Sequence, residues 1–230
     1  MTRVLVPVAV LDGETVSAGL MGLLGPLDVT VLGYHVLPEQ TPPDQARRQY
    51  EERATDALAD LTEEFRAAGG AADHRLVFTH DREQTIDRVA DEVDASAIAI
   101  SGVTGDVDRI LVSLSGDVAT DRILAFVADL VGDRDIGVTL FLATREDEAT
   151  DRLDDAAARL RDRGLDVETT VATGAPFDAL LVEVPGHDAV VMGERAPSFR
   201  SFVFGDESDR VASASVGPVL VVRSDEAADE

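Results

Sequence analysis

Short runs rich in Val, Ile and Leu alternate with helix-like segments along this chain, and the same order of segments occurs twice. RVLVPV at Arg3 to Val8 returns as RILVSL at Arg109 to Leu114. After the first come an apolar helix near Thr15 to Leu24 and the strand DVTVLGYHV, Asp28 to Val36. A long amphipathic helix opens after TPPD, carries Tyr50, Ala54, Ala57, Leu61 and Phe65 at helical spacing, and stops at Gly69-Gly70. The strand HRLVFT, the helix REQTIDRVADEV and the strand SAIAIS complete this half.

The second half repeats the pattern: RILVSLS, the helix DVATDRILAFVADLV, IGVTLFLAT, the helix ATDRLDDAAARLRDRG, DVETTVAT, the helix PFDALLVEV and DAVVMG. Strands that are continuous apolar runs belong to parallel sheets covered by helices on both faces. The expected fold is therefore α/β, with two repeated doubly wound parallel-sheet units, 1–106 and 107–223, and an acidic disordered tail, 224–230. The halves end differently. In the second, a stretch containing a helix leads from AVVMGERA to a last strand, VGPVLVVR, whereas in the first AIAISGVTG passes at Gly105 straight into DVDRILV. The first unit is thus truncated after its fourth strand. Ligands on such sheets bind beyond the carboxyl ends of the strands, where strand order reverses, so the first and fourth strand ends of each half are the places to look.

Forty-five acids against 20 bases give a net charge of −25, and all of the bases are arginine. Acids spread evenly, with lysine absent, match chains that stay dispersed in molar salt, where screening to about 3 Å removes their self-repulsion. A halophilic source is expected. Nucleic acid is excluded as a partner, because phosphate contacts need a basic stripe. No apolar run approaches the roughly 20 residues that span a bilayer, and the N-terminal residues lack the pattern of a signal peptide, so no membrane insertion and a cytoplasmic location are expected. The chain has no cysteine, and its four histidines, His35, His74, His80 and His187, lie far apart. Thiolate, disulfide and zinc chemistry are not expected. His35, inside an apolar strand, reads as a core or rim residue, and the other three as surface residues. No acid/base pair or nucleophile elbow stands out, so no enzyme is expected.

RILVSL opening a repeat, VVMGERA, LGYHVLP and the ending GPVLVVR together resemble the universal stress protein family, in a tandem-repeat, haloarchaeal-type form. That resemblance covers nearly the whole chain and implies a Rossmann-like, adenine nucleotide alpha hydrolase-like fold. It also implies a loop G-x2-G-x9-G-[ST] that holds the phosphates of ATP or AMP, with an aspartate after the first strand for the ribose or base. In the second half these positions fall on Gly193, Ala196, Gly205 and Asp206, with Ser115 in place of the aspartate. Ala196 adds a methyl where the backbone should approach closest, and Asp206 with Glu207 brings negative charge to the phosphate position. Arg195, Ser208 and Ser113 are the remaining polar groups of this degenerate loop. In the first half Gly102 and Gly105 supply the glycines, but the following helix is missing, and Ala9 takes the aspartate position with Asp12 three residues on.

SLSGDVAT, Ser113 to Thr120, also resembles the S-G-G-x-D-S loop of ATP pyrophosphatases, though Asp117 replaces its second glycine. Gly116-Asp117 reads better as a turn and N-cap for the next helix. The resemblance to universal stress proteins implies a non-catalytic stress-response protein acting by binding and assembly, with a working ATP/AMP regulator as the alternative and an ATP-pyrophosphatase-related enzyme behind it. An unknown protein partner and a homodimer are expected, the latter pairing through the apolar terminal strand Val216 to Val222 as a free edge.

Overall fold

The computed structural model describes residues 2–116, 118–144, 149–196 and 217–224. Strand and helix alternate as expected: β1 (Arg3–Ala9), α1 (Ala18–Leu24), β2 (Asp28–Val36), α2 (Pro43–Ala67), β3 (Ala71–Thr79), α3 (Arg82–Glu92) and β4 (Ala97–Ile100). Then come β5 (Arg109–Ser113), α4 (Thr120–Val131), β6 (Gly137–Ala143), α5 (Ala149–Arg161), β7 (Val167–Ala172), α6 (Pro176–Glu183), β8 (Ala189–Gly193) and β9 (Val219–Val222).

Both halves contribute to one nine-stranded sheet, ordered β3-β2-β1-β4-β9-β8-β5-β6-β7. Reading outward from β9, the first half runs β4-β1-β2-β3 and the second β8-β5-β6-β7, the same order on either side. Every neighbouring pair is parallel except one. β9 lies parallel to β8, with Val190 opposite Val219, and antiparallel to β4, with Ala97 opposite Val222. The two halves therefore point in opposite directions, and the carboxyl ends of the second half's strands lie beside the amino ends of the first's.

That placement corrects the expected dimer edge. Val219 to Val222 have strands on both sides and are buried, so the terminal strand is an interior strand that joins the halves. The first half lacks a fifth strand of its own, and β9 fills the place next to β4.

Side chains alternate across each strand, and the two faces of the sheet are packed differently. On one face Val4, Val6 and Val8 of β1 and Ile110 and Val112 of β5 join α1, α2, α4 and α5 in one core spanning both halves. On the other face Leu5 and Ile98 pack under α3, while Leu111, Val190 and Val221 pack under α6, in two separate clusters. α1 and α4 lie against each other on the shared face, and Arg134, just after α4, fastens them. Its guanidinium donates to the carbonyls of Gly22 and Leu23 in α1 at 2.8 and 2.9 Å, and to those of Leu130 and Val131 at the end of α4. One side chain thus meets the terminal carbonyls of two helices from different halves.

Several local expectations shift. In α2 the buried stripe is Ala46, Ala54, Leu58, Thr62 and Phe65; Ala57 is exposed and Tyr50 and Leu61 are half-buried. β3 starts at Ala71 rather than His74. The N-cap of α4 is Ala119, which has no side-chain oxygen to cap it, and Gly116 takes a positive φ of 87° in the turn before it; Asp117, read as part of that turn and cap, lies outside the described residues. His187 is not a plain surface residue: its Nδ1 donates to the Glu183 carbonyl at 3.0 Å and its Nε2 meets the buried Thr139 Oγ1 at 2.8 Å. The helix expected between Ala196 and Val216, and the tail beyond Ser224, lie outside the described residues.

Candidate functional site

The carboxyl ends of β5 and β8 form the second half's candidate site, and there the chain is closed on itself. Ser113 and Ser115 are each only 2% exposed. The Ser115 hydroxyl accepts the backbone N–H of Ala143 at 2.9 Å, which ties the β5 end to the β6 end, and Ser113 Oγ accepts from the N–H of Ser115 at 3.5 Å. Neither hydroxyl stands at a surface where a ribose could reach it. Gly193 ends β8, yet a Cβ placed there would lie 3.0 Å from Val118 Cγ1 and 3.3 Å from Ile123 Cδ1. The side of Gly193 on which a Cβ would stand is filled by Val118, before α4, and Ile123, in its first turn, so this glycine opens no space on that side.

Ala196 closes a tight turn by donating its N–H to the Gly193 carbonyl at 2.9 Å, and its methyl is buried in the cluster with Met192, Leu180 and Val184. It therefore serves the core under α6. Glu194 points the other way and accepts from both the N–H and the hydroxyl of Ser224, at 3.0 and 3.1 Å, which fixes the end of β9. Gly205, Asp206 and Ser208 lie outside the described residues.

Arg195 is exposed and makes no ion pair among the described residues. It lines a cleft of about 290 Å³ between the halves with Asp87, Asp91, Glu194, Arg223 and Ser224. Arg223 is paired with Asp91 at 2.5 Å. Burial, reinforced by Glu194 and Glu83 nearby, pushes the Asp87 carboxyl above the usual carboxylate range. Two arginines thus share the cleft with three carboxylates, one of which is already disfavoured as an anion. A polyanion beside Arg195 would meet that repulsion at once.

In the first half the linker between β4 and β5 covers the corresponding position. Gly19, in the first turn of α1, lies so close to it that a Cβ would stand 1.7 Å from the Gly105 carbonyl oxygen. Gly102 is packed by the C-terminal segment instead: a Cβ there would lie 2.2 Å from the carbonyl carbon of Gly217 and 2.5 Å from the Pro218 nitrogen. These glycines admit protein backbone, and the space they open is already filled. Ala9 donates its N–H to Glu14 Oε2 at 2.7 Å, while the Asp12 carboxylate sits 4.0 Å from His35 Nδ1. His35 is indeed a rim residue, edge-on to Tyr50 and Phe78.

Of the residues singled out from sequence, the structure brings Ser113, Ser115, Gly193 and Ala196 to one end of the second half, and Ala9, Asp12, Gly102 and Gly105 to the matching end of the first. Glu194, Glu14 and Asp87 escape sequence reasoning, because nothing in a single acidic residue of so acidic a chain marks it. Among the described residues no group of His, Asp and Glu is arranged to hold a metal ion, and no helix is long and apolar enough to cross a membrane.

No curated protein matches the chain in sequence. Residues 135–223 match the model of the universal stress protein family. Among solved structures, a universal stress protein from Archaeoglobus fulgidus DSM 4304 is similar over 96% of both chains at 19% identity, with a TM-score of 0.67. The cytoplasmic domain of a prokaryotic cation chloride cotransporter is similar over 96% of this chain and 94% of its own at 12% identity, with a TM-score of 0.55. A protein from Pseudomonas aeruginosa PAO1 is similar over 98% of this chain and 93% of its own at 13% identity, with a TM-score of 0.53. At such identities the likeness is one of fold. In its segment 135–223 by sequence, and along nearly its whole length by fold, the chain is similar to universal stress proteins.

Proposed function

We propose that this chain is a tandem universal-stress-protein-like protein of a salt-adapted cytoplasm whose two ligand ends are filled by its own residues, and that it serves the stress response by binding and assembly without turnover. The observation that carries this reading is the burial of Ser113 and Ser115 together with the packing of Val118 against Gly193. The first half supports it independently, since Gly102 and Gly19 are used for contacts within the chain. The fold alone does not carry the function; the closed strand ends do.

A second reading places ATP or AMP, as a regulatory ligand, in the cleft at Arg195 and Arg223, where two guanidiniums would have to outweigh the repulsion of Asp87, Asp91 and Glu194. Calorimetry and thermal melting with ATP, AMP and Mg²⁺ in molar KCl separate the two. A bound nucleotide raises stability by RT ln(1 + [L]/Kd), about 2.7 kcal/mol at a hundredfold excess over Kd. Our reading requires no heat of binding and an unchanged Tm; a saturable shift with either nucleotide replaces it with the second.

A further inference from the structure

With β9 in the interior of the sheet, the free edges among the described residues are β3 and β7. β3 is the longer, nine residues without proline, paired on one side only, to β2. The outward groups follow from alternation. The Thr79 carbonyl accepts from Leu37, which follows β2, so Thr79, Val77, Arg75 and Asp73 turn their backbone groups inward. Ala72, His74, Leu76 and Phe78 therefore turn theirs to the edge. Two side-chain bonds agree: Arg66 donates to the Ala72 carbonyl at 2.9 Å, and Arg75 to the His74 carbonyl at 3.3 Å. Long arginines reach round to carbonyls that have no strand to pair with.

The side chains carry a second pattern. His74 lies under α2, beside Thr62 Oγ1 at 3.2 Å. Asp73 and Arg75 are on the opposite face, exposed, and neither has an ion pair among the described residues. Consider a second copy aligned antiparallel with His74 opposite itself. His74 then forms a hydrogen-bonded pair, as its outward backbone groups require, and Ala72 falls opposite Leu76. Asp73 falls opposite Arg75 in the adjacent non-hydrogen-bonded pair, where side chains approach most closely. Two-fold symmetry makes that ion pair twice. β7 has no such match: its one charge, Glu168, is engaged by Arg109, and it carries no cation to face it.

We propose that β3 joins two copies of this chain, antiparallel about a two-fold axis at His74, with Asp73 of each copy against Arg75 of the other. The interface is isologous and extends the sheet without a break. It does not depend on whether nucleotide binds. High salt favours it, because the long-range repulsion between two chains of −25 is screened while groups in contact still attract.

Light scattering and sedimentation over a concentration series in molar KCl test it. The expected result is a concentration-dependent dimer. Arg75→Asp places two like-charge pairs across the axis and raises the dimer dissociation constant roughly tenfold or more. Asp73→Arg combined with Arg75→Asp restores opposite charges and restores the dimer. Arg163→Asp, the same change of net charge at an exposed turn, leaves association unchanged. Melting curves of all variants report that each is folded. A monomer at every concentration, a dimer indifferent to Arg75→Asp, or a double variant that does not recover would each overturn the proposal.

Discussion

Gly19 and Gly105 are in backbone contact so close that a single carbon added to Gly19 would lie 1.7 Å from the Gly105 carbonyl oxygen. This is where the linker between the halves crosses the first turn of α1, and it closes the first half's ligand end. The contact reverses an ordinary rule. Gly→Ala inside a helix normally stabilises by about 1 kcal/mol. Gly22, in the same helix, has open space where a Cβ would stand, with nothing within 4 Å, and should obey the rule.

Gly19→Ala is therefore expected to destabilise, by about 1–3 kcal/mol as the linker is pushed away, while Gly22→Ala stabilises by up to about 1 kcal/mol. Chemical denaturation of the two variants beside the wild type measures both. If Gly19→Ala is neutral or stabilising, the linker does not seal α1.

Arg134 should behave as a clamp between halves. Arg134→Ala removes donors from the carbonyls of Gly22, Leu23 and Val131 as well as Leu130, and a loss of about 2–6 kcal/mol follows from four bonds worth roughly 0.5–1.5 kcal/mol each. Arg134→Lys keeps the charge but loses the planar fork, so it recovers only part of the loss. Urea melts of the three proteins rank them; a Lys variant as stable as the wild type would show that charge alone matters there.

Asp87 sets a pH dependence. Its folded-state pKa is raised, first by burial and then by Glu194 and Glu83, with Arg223 opposing. A carboxyl raised in this way adds stability below its unfolded pKa, near 3.9, and that stability is lost as pH rises through the folded value. Asp87→Asn cannot ionise, so it is expected to be more stable than the wild type at neutral pH, the advantage fading as the medium is acidified toward pH 4. Thermal melts from pH 4 to 8 read the difference; an advantage independent of pH would assign the effect to something other than ionisation.

The alternation of strand and helix is legible in the sequence because buried parallel strands must be apolar on both faces, and β2 falls at Asp28 to Val36 as read. The register of α2 is less so. Ala57 and Leu58 are adjacent and both apolar, and only packing against Gly33, where Leu58 presses on the strand, selects Leu58 as the buried one. At the sites, sequence points to the right strand ends but does not say what fills them. Gly102 reads as a phosphate glycine until Gly217 and Pro218, more than a hundred residues away, are seen lying against it. The terminal strand is misplaced by sequence for the same reason: an apolar strand near a terminus looks like an edge, and only the missing fifth strand of the first half, once the sheet is assembled, shows the place it takes.

Restoring a glycine is not expected to restore a nucleotide site. From sequence, Ala196 stands where a phosphate loop would have glycine, but its methyl is buried against the core under α6 and the obstruction at Gly193 comes from Val118. Ala196→Gly should therefore cost about 1 kcal/mol in lost packing and backbone entropy and leave ATP without effect on Tm in molar KCl. Trimming Val118 to Ala opens the Gly193 face instead. If Ala196→Gly alone produces an ATP-dependent shift, the methyl was the barrier after all, and the closed strand end is not what keeps nucleotide out.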